Sequence, residues 1–327
     1  MKILHIGKEE NINRYLPDWK TSVKSFPTST SIEEILSSAN DADYLIADAV
    51  APITKELIEG MPNLKMIHSE GVAYNSFDVE TAKERHVYVC NCKGMNAVAV
   101  AEQTVLLMLG VIKNVVSGDE AVRNGQQIQV KEGYMARGDL LELSDLKIGL
   151  IGFGDIAKAV AKMMQAFGAK TYYYSRHQAD PEIEEKYDVE YLPLDKLCEI
   201  CNMFSLHIPV TPETTHMIDS SFFEKIPDNS YIINTARGEV MDTQALVEAI
   251  QSGKIKMAGL DTLEGEPVKL DNYLLQQDKE VLDRILFSPH IGGITASSFK
   301  RGYQMIWNDI EKLEKGNKPD HVVNDWD

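Results

Sequence analysis

Short apolar runs alternate with amphipathic stretches along almost all of this 327-residue chain. In the first third, MKILHIG (1–7), DYLIAD (43–48), LKMIHS (64–69) and VYVCNC (87–92) read as buried strands. Between them Ser31–Ser38, Ile53–Gly60 and Phe77–Arg85 carry helical spacing. Thr54 and Asp78 offer side-chain oxygens suited to helix starts, and Pro52 and Pro62 punctuate loops. From Asn96 to about Val116 the chain is mostly apolar, but Glu102, Gln103 and Lys113 interrupt it too often for a membrane span. It reads as a buried helix crossing between domains. Residues 118–145, polar and mixed with Gly125, Gly133 and Gly138, read as an arm or subunit-contact region. Further strands are expected at Lys147–Ile151, Lys170–Tyr174, Val189–Leu192, Met203–Leu206, Tyr231–Asn234, Lys256–Leu260 and Ile285–Phe287. The clearest helix among them is Thr243–Gln251, and a final helix, Ala296–Lys315, sets Trp307 and Leu313 on its apolar side. Such alternation predicts an α/β protein of parallel sheets with helices on their faces.

One stretch has more than a packing pattern. In KIGLIGFGDIAKAVAKMMQA (147–166) the apolar run Ile148–Ile151 breaks at Gly152-Phe153-Gly154 and resumes as a helix with Ile156, Ala157, Val160, Met163 and Met164 inward. This is a dinucleotide-binding fingerprint, G-x-G-x-x-A. Gly152 permits the turn, Gly154 has no side chain to hold a diphosphate off the backbone, and Ala157 lets helix and strand approach. The free N–H groups of the helix start, at Asp155 and Ile156, would face the diphosphate. Asp155 puts a carboxylate where phosphate should go, so a helix cap is the expected use of its side chain. The plain alternative for the whole stretch is an ordinary strand-to-helix turn.

Charge and cysteines narrow the class. Asp and Glu total 50 against 33 Lys and Arg, a formal charge of −17. That argues against nucleic acid or an anionic membrane as partner. The N-terminus MKILHIGKEE lacks the apolar core of a signal peptide. Four cysteines are too few to staple this length; Cys198-x-x-Cys201 has no accompanying ligand set, and no metal is expected. A reduced, cytoplasmic protein of about two domains follows.

Three later strands end in polar residues that packing alone does not require: Asn234-Thr235-Ala236-Arg237-Gly238, Asp261 to Pro267, and Ser288-Pro289-His290-Ile291-Gly292-Gly293. Carboxyl ends of strands in an open α/β sheet are where ligands bind. Singly, Arg237 reads as a surface ion-pair residue, Glu266 as a turn residue and His290 as structural. Together, an Arg, carboxylates and a His suit acid–base work on a small anion.

With these residues in view the chain resembles the D-isomer-specific 2-hydroxyacid dehydrogenase family over nearly its whole length. The resemblance rests on GVAYNSFD (71–78), NAVAVAEQT (96–104), GLIGFGDIA (149–157), HIPVTPETTHMI (207–218), NTARGEV (234–240), the 261–267 stretch and SPHIGGIT (288–295). It implies two doubly wound parallel-sheet domains: a Rossmann NAD(P)-binding domain, 98–296, inserted into a flavodoxin-like substrate domain made of 1–97 and 297–327. It also implies a homodimer. By the same resemblance Arg237 would grip the carboxylate and carbonyl of a 2-oxo acid in two-pronged fashion. His290 would protonate the carbonyl oxygen, and Glu266 would hydrogen-bond His290 and orient its ring. Backbone N–H groups around Val72 and Ala73 would bind the substrate carboxylate, with Tyr74 beside them. The cofactor would meet Gly152, Gly154, Asp155, Ile156, Ser175, Arg176, His207, Pro209, Thr214, Thr235, Ala236, His290 and Gly292, and Asp261 would hold the nicotinamide carboxamide.

Departures from the family pattern refine these expectations. NAD-using members carry an acid at the end of the second nucleotide-domain strand; here Ser175-Arg176 stands there. A carboxylate would repel a 2′-phosphate that Ser175 and Arg176 could bind, so NADP is the expected cofactor and NAD the alternative. Asp48 stands where phosphoglycerate-oxidising relatives place an Arg, and Glu266 where formate-oxidising relatives place Gln. Ala73 replaces a glycine common in the carboxylate loop. The expectation is NAD(P)H-dependent reduction of glyoxylate, hydroxypyruvate or a small aliphatic 2-oxo acid to the D-2-hydroxy acid. The alternatives are a dinucleotide-sensing dimeric scaffold of the co-repressor type and a dehydrogenase of phosphite or another small oxyanion.

Overall fold

The structure, a computed structural model, describes residues 1–17 and 22–325. The chain divides into two compact units, Met1–Asn96 with Ile294–Asp327, and Ala97–Gly293.

The first unit is built on a five-stranded parallel sheet: β1 (Lys2–Ile6), β2 (Ser22–Phe26), β3 (Tyr44–Ala47), β4 (Met66–Ser69) and β5 (Tyr88–Cys90). Its order is β2-β1-β3-β4-β5, the flavodoxin-like arrangement. β3 and β4 are buried at every residue, which is why they read as continuous apolar runs. β2, SVKSF, is an edge strand, with polar residues among its exposed and half-buried positions. It carries no apolar run, and the sequence pattern misses it along with the short helix Glu9–Arg14. Thr54 and Asp78 do cap: their side chains accept from the N–H groups of Leu57 and Thr81.

The final helix, Ala296–Glu314, buries Tyr303, Ile306, Trp307 and Ile310 against this unit's core. It also carries a fully buried carboxylate. Asp309 Oδ2 accepts from His68 Nε2 at 3.3 Å and His321 Nδ1 at 2.8 Å, and Oδ1 from the Asp320 N–H at 2.8 Å. Burial alone would raise the Asp309 pKa; the hydrogen bonds from His68, Asp320 and His321 outweigh it and hold it below the usual carboxylate value. One side chain thus fastens the C-terminal segment to helix and sheet.

The second unit holds seven parallel strands: β6 (Lys147–Ile151), β7 (Lys170–Tyr174), β8 (Val189–Tyr191), β9 (Met203–Leu206), β10 (Ser230–Asn234), β11 (Ile255–Leu260) and β12 (Ile285–Phe287). Their order is β12-β11-β10-β9-β6-β7-β8, so the chain reverses direction across the sheet between β6 and β9. That is the doubly wound dinucleotide-binding order with one strand added.

The helix Ala97–Ile112 lies in this unit, with Ala101, Leu107, Met108 and Val111 in its core. It stops short of the expected Val116 because Asn114 takes a left-handed conformation (φ 48) and the chain turns by 60° into Val115–Arg123. The stretch read as an arm or subunit-contact region is largely helical, Val115–Arg123 and Gln127–Arg137, the latter closed by left-handed Gly138. Val115, Val116, Val122, Ile128 and Met135 stand exposed on these two helices. Among the described residues no single helix is long and apolar enough to cross a membrane.

Candidate active site

The glycine turn after β6 and the segment after β9 flank the point where the strand order reverses. Gly152 has φ 98, and a Cβ there would lie 2.4 Å from the carbonyl oxygen of His207. Only glycine fits. At Gly154 a Cβ would meet no protein atom within 4 Å, so the space beside the backbone is open. Gly154 is the N-cap of the helix Asp155–Ala166, and Ala157 is fully buried where that helix meets the sheet. Asp155 is therefore the first helical residue, exposed, and makes no capping hydrogen bond. Its expected capping role is corrected: the cap position had already been taken by the glycine the turn needs. The open strip of backbone and the unpaired first-turn N–H groups fit a diphosphate.

The other residues expected at the nucleotide lie around this turn. The His207 N–H donates to Ile151 O at 2.7 Å, and its Nε2 pairs with Ser205 Oγ at 2.9 Å. Burial pushes the His207 pKa down to about 3, so its ring is neutral. Thr214 donates to the Pro209 carbonyl at 2.6 Å and accepts from the Thr211 N–H, closing the 209–214 turn. Thr235 is buried against Thr104, Oγ1 to Oγ1 2.8 Å, and Ala236 is half-buried. At the end of β7, Ser175 Oγ donates to the carbonyl of His177, while Arg176 is exposed. Ser175 has thus spent its proton inside the loop, and the Arg176 side chain stays exposed beside it.

The acid–base candidates stand at the ends of three adjacent strands, β10, β11 and β12. Arg237 follows β10. It is exposed, its Nη1 donates to the Ala236 carbonyl at 2.7 Å, and among the described residues no carboxylate pairs with it. Glu266 follows β11 and His290 follows β12, with His290 Nδ1 2.5 Å from Glu266 Oε2. The other carboxylate oxygen, Oε1, accepts from the Leu263 N–H at 2.7 Å, which fixes the plane of the carboxylate. His290 holds a left-handed backbone (φ 55), an uncommon state for a non-glycine residue and one that collects at functional sites.

Asp261 supplies the reason that turn is stable. It is 2 % exposed, and its carboxylate accepts from the Ser288 hydroxyl, the Ile291 N–H at 3.1 Å and the Gly292 N–H at 2.8 Å. Gln103 Nε2 donates to Ser288 Oγ at 2.9 Å from the helix Ala97–Ile112. A Cβ at Gly292 would fall 2.8 Å from Asp261 Oδ2, so glycine is required for the loop to wrap the carboxylate. Asp261 therefore anchors the His290 loop. No local pattern marks Gln103 and Ser288 for this task, because the carboxylate they support lies far along the chain.

In the first unit the loop after β4 is braced through its carbonyls. Asn91 Nδ2 donates to Val72 O and Ser69 Oγ to Ala73 O, both at 2.7 Å. Val72 and Ala73 are exposed, and among the described residues their N–H groups make no hydrogen bond. Tyr74 is half-buried against the core beside Phe77.

Comparison with known proteins agrees with this layout. Residues 105–292 match the model of the D-isomer specific 2-hydroxyacid dehydrogenase NAD binding domain. A glyoxylate reductase of Thermococcus litoralis is 34 % identical over 291 residues, covering 89 % of this chain and 86 % of that one. A hydroxypyruvate reductase of Thermotoga maritima is 35 % identical over 282 residues, covering 86 % and 88 %. The solved D-lactate dehydrogenase of Aquifex aeolicus, in complex with NAD and lactic acid, superposes with a TM-score of 0.78 at 27 % identity, over 99 % of this chain and 100 % of that one. The chain belongs to the D-isomer-specific 2-hydroxyacid dehydrogenase family. It is an oxidoreductase with a domain for a nicotinamide dinucleotide.

Proposed function

We propose that this protein reduces a small 2-oxo acid, glyoxylate or hydroxypyruvate foremost, to the 2-hydroxy acid, with D configuration wherever the product is chiral. The observation that carries the reading is the Glu266–His290 pair at 2.5 Å on a strand end next to that of unpaired Arg237. A bound dinucleotide supplies the hydride to the substrate's carbonyl carbon. His290 Nε2 gives a proton to the carbonyl oxygen, so that the C=O double bond becomes a hydroxyl, and it recovers that proton in the reverse reaction. Glu266 keeps Nδ1 protonated and the ring in place. Arg237 donates one hydrogen bond to the carboxylate and one to the carbonyl oxygen of the acid. The exposed N–H groups of Val72 and Ala73 offer a carboxylate site on their own unit.

Within this reading the 1–96 and 294–327 unit binds substrate and the 97–293 unit binds the cofactor. NADP is the preferred cofactor, on the strength of Arg176 and the missing acid at position 175. The exposed apolar face of the helices Val115–Arg123 and Gln127–Arg137 is the surface for a homodimer. Four buried free thiols fit a reducing compartment, the cytoplasm. The test is to incubate the enzyme with reduced dinucleotide and a panel of 2-oxo acids, and to resolve the products on a chiral column. Formation of the D-hydroxy acid from glyoxylate's larger analogues supports the reading; no turnover of any 2-oxo acid ends it.

A further inference from the structure

We propose that His216 and Glu264 form a latch that holds the Glu266 loop against the Arg237 loop, and that both are positioning residues for the reaction. The proposal rests on the roles just given to Arg237, Glu266 and His290. Its ground is the way three chain segments meet at one carboxylate. Glu264 Oε1 lies 2.6 Å from His216 Nε2, and Oε2 accepts from Thr243 Oγ1 at 2.6 Å. Thr243 is the first residue of the helix Thr243–Gln251, so the carboxylate also faces that helix's positive end.

The backbone ties follow the same route. The His216 N–H donates to Glu239 O at 2.8 Å, on the turn just after Arg237. A Cβ at Gly238 would lie 2.1 Å from the carbonyl carbon of Leu263 and 2.2 Å from the Glu264 nitrogen. The two loops therefore touch main chain to main chain, with glycine alone permitting the approach. Leu263 in turn donates its N–H to Glu266. A chain of contacts one residue wide thus joins the guanidinium's loop to the carboxylate that orients His290.

His216 keeps a left-handed backbone (φ 51), a state its surroundings must hold in place. The pair is electrostatically matched. The hydrogen bond to Glu264 raises the His216 pKa, with burial opposing and Asp242 assisting. Burial would raise Glu264, but the hydrogen bonds from Thr243 and His216 lower it. Without His216, Glu264 keeps its bonds from Thr243 and from Asn272 Nδ2 (to Glu264 O, 3.2 Å), but loses the side-chain tie to the segment that His216 fastens to Glu239. Small displacements of catalytic groups cost up to about a hundredfold in rate.

The experiment compares His216→Leu, His216→Gln and Glu264→Gln with His290→Ala in the full-length enzyme. It reads kcat and KM for glyoxylate, dinucleotide affinity and melting temperature. Gln and Leu share the backbone cost at this position, and only Gln keeps a donor. The latch predicts kcat reduced about 5- to 100-fold in His216→Leu, largely restored in His216→Gln and intermediate in Glu264→Gln, with dinucleotide affinity unchanged. Wild-type kcat in His216→Leu, or equal losses in Leu and Gln, overturns it. If His216→Leu fails to fold, Glu264→Gln decides: unchanged kcat there also overturns the latch. An active His290→Ala enzyme would instead overturn the site assignment on which the latch rests.

Discussion

His290 presents Nδ1 to Glu266 and leaves Nε2 without a protein partner among the described residues, on a ring 45 % exposed. A ring held at one nitrogen and open at the other can pass a proton at a fixed point. Glu266→Gln keeps a hydrogen-bonding side chain but loses the charge that holds the Nδ1 proton. It is expected to lower kcat by about 10- to 100-fold, less than His290→Ala, for which about 10²- to 10⁴-fold is expected. Steady-state kinetics on both variants checks the order. Equal, small effects would remove His290 from the chemistry.

In the proposed reading, a preference for NADP rests on Arg176. Because the Ser175 hydroxyl is committed to the His177 carbonyl, Arg176→Ala alone should carry most of the loss. A charge-assisted hydrogen bond is worth about 1.5–3 kcal/mol, so NADPH affinity should fall about ten- to a hundredfold while NADH affinity barely changes. Adding Ser175→Asp should complete a shift toward NADH. Titration of each dinucleotide by fluorescence reads both effects.

Gly152→Ala tests the nucleotide turn. The added methyl would sit 2.4 Å from the His207 carbonyl oxygen on a backbone with φ 98. Destabilisation of about 1–3 kcal/mol is expected, together with loss of dinucleotide binding. A denaturant melt and a binding titration separate the two. Gly154→Ala, which meets no protein atom, should bind dinucleotide poorly yet melt normally.

Asp309 makes the fold sensitive to acid. Its pKa is held down by donors that exist only in the folded chain, so its contribution is complete above the unfolded carboxylate value, about 3.9. It is lost as pH falls through the lower folded value. Asp309→Asn removes the carboxylate that accepts from His68, His321 and Asp320 and should cost about 1–3 kcal/mol at neutral pH. The variant should also lose less stability than the wild type between pH 4 and more acid conditions. Urea melts across pH measure both.

Much of the fold was legible because both sheets are parallel and covered, so their central strands are unbroken apolar runs. Tyr44–Ala47 and Ile148–Ile151 could hardly be read otherwise. The edge strand Ser22–Phe26 was not legible, since its sequence SVKSF mixes polar and apolar residues and carries no apolar run. The helix Gln127–Arg137 hid behind Gly133 and has no buried residue to give it a stripe. Asp155 misled because an acid after a glycine turn looks like a cap, while the cap is decided by backbone geometry at Gly154. At the site, Arg237, Glu266 and His290 stood out by their place at strand ends. The supports, Gln103 and Ser288 for Asp261 and His216 for Glu264, join residues too distant in sequence for spacing to reveal.

The most direct measurement is kcat/KM for glyoxylate and hydroxypyruvate in the wild type, Arg237→Leu and His290→Ala, alongside dinucleotide affinity for each. The account predicts intact cofactor binding in all three, a raised KM in Arg237→Leu and a collapsed kcat in His290→Ala. Turnover in His290→Ala equal to the wild type, with cofactor bound, would contradict it.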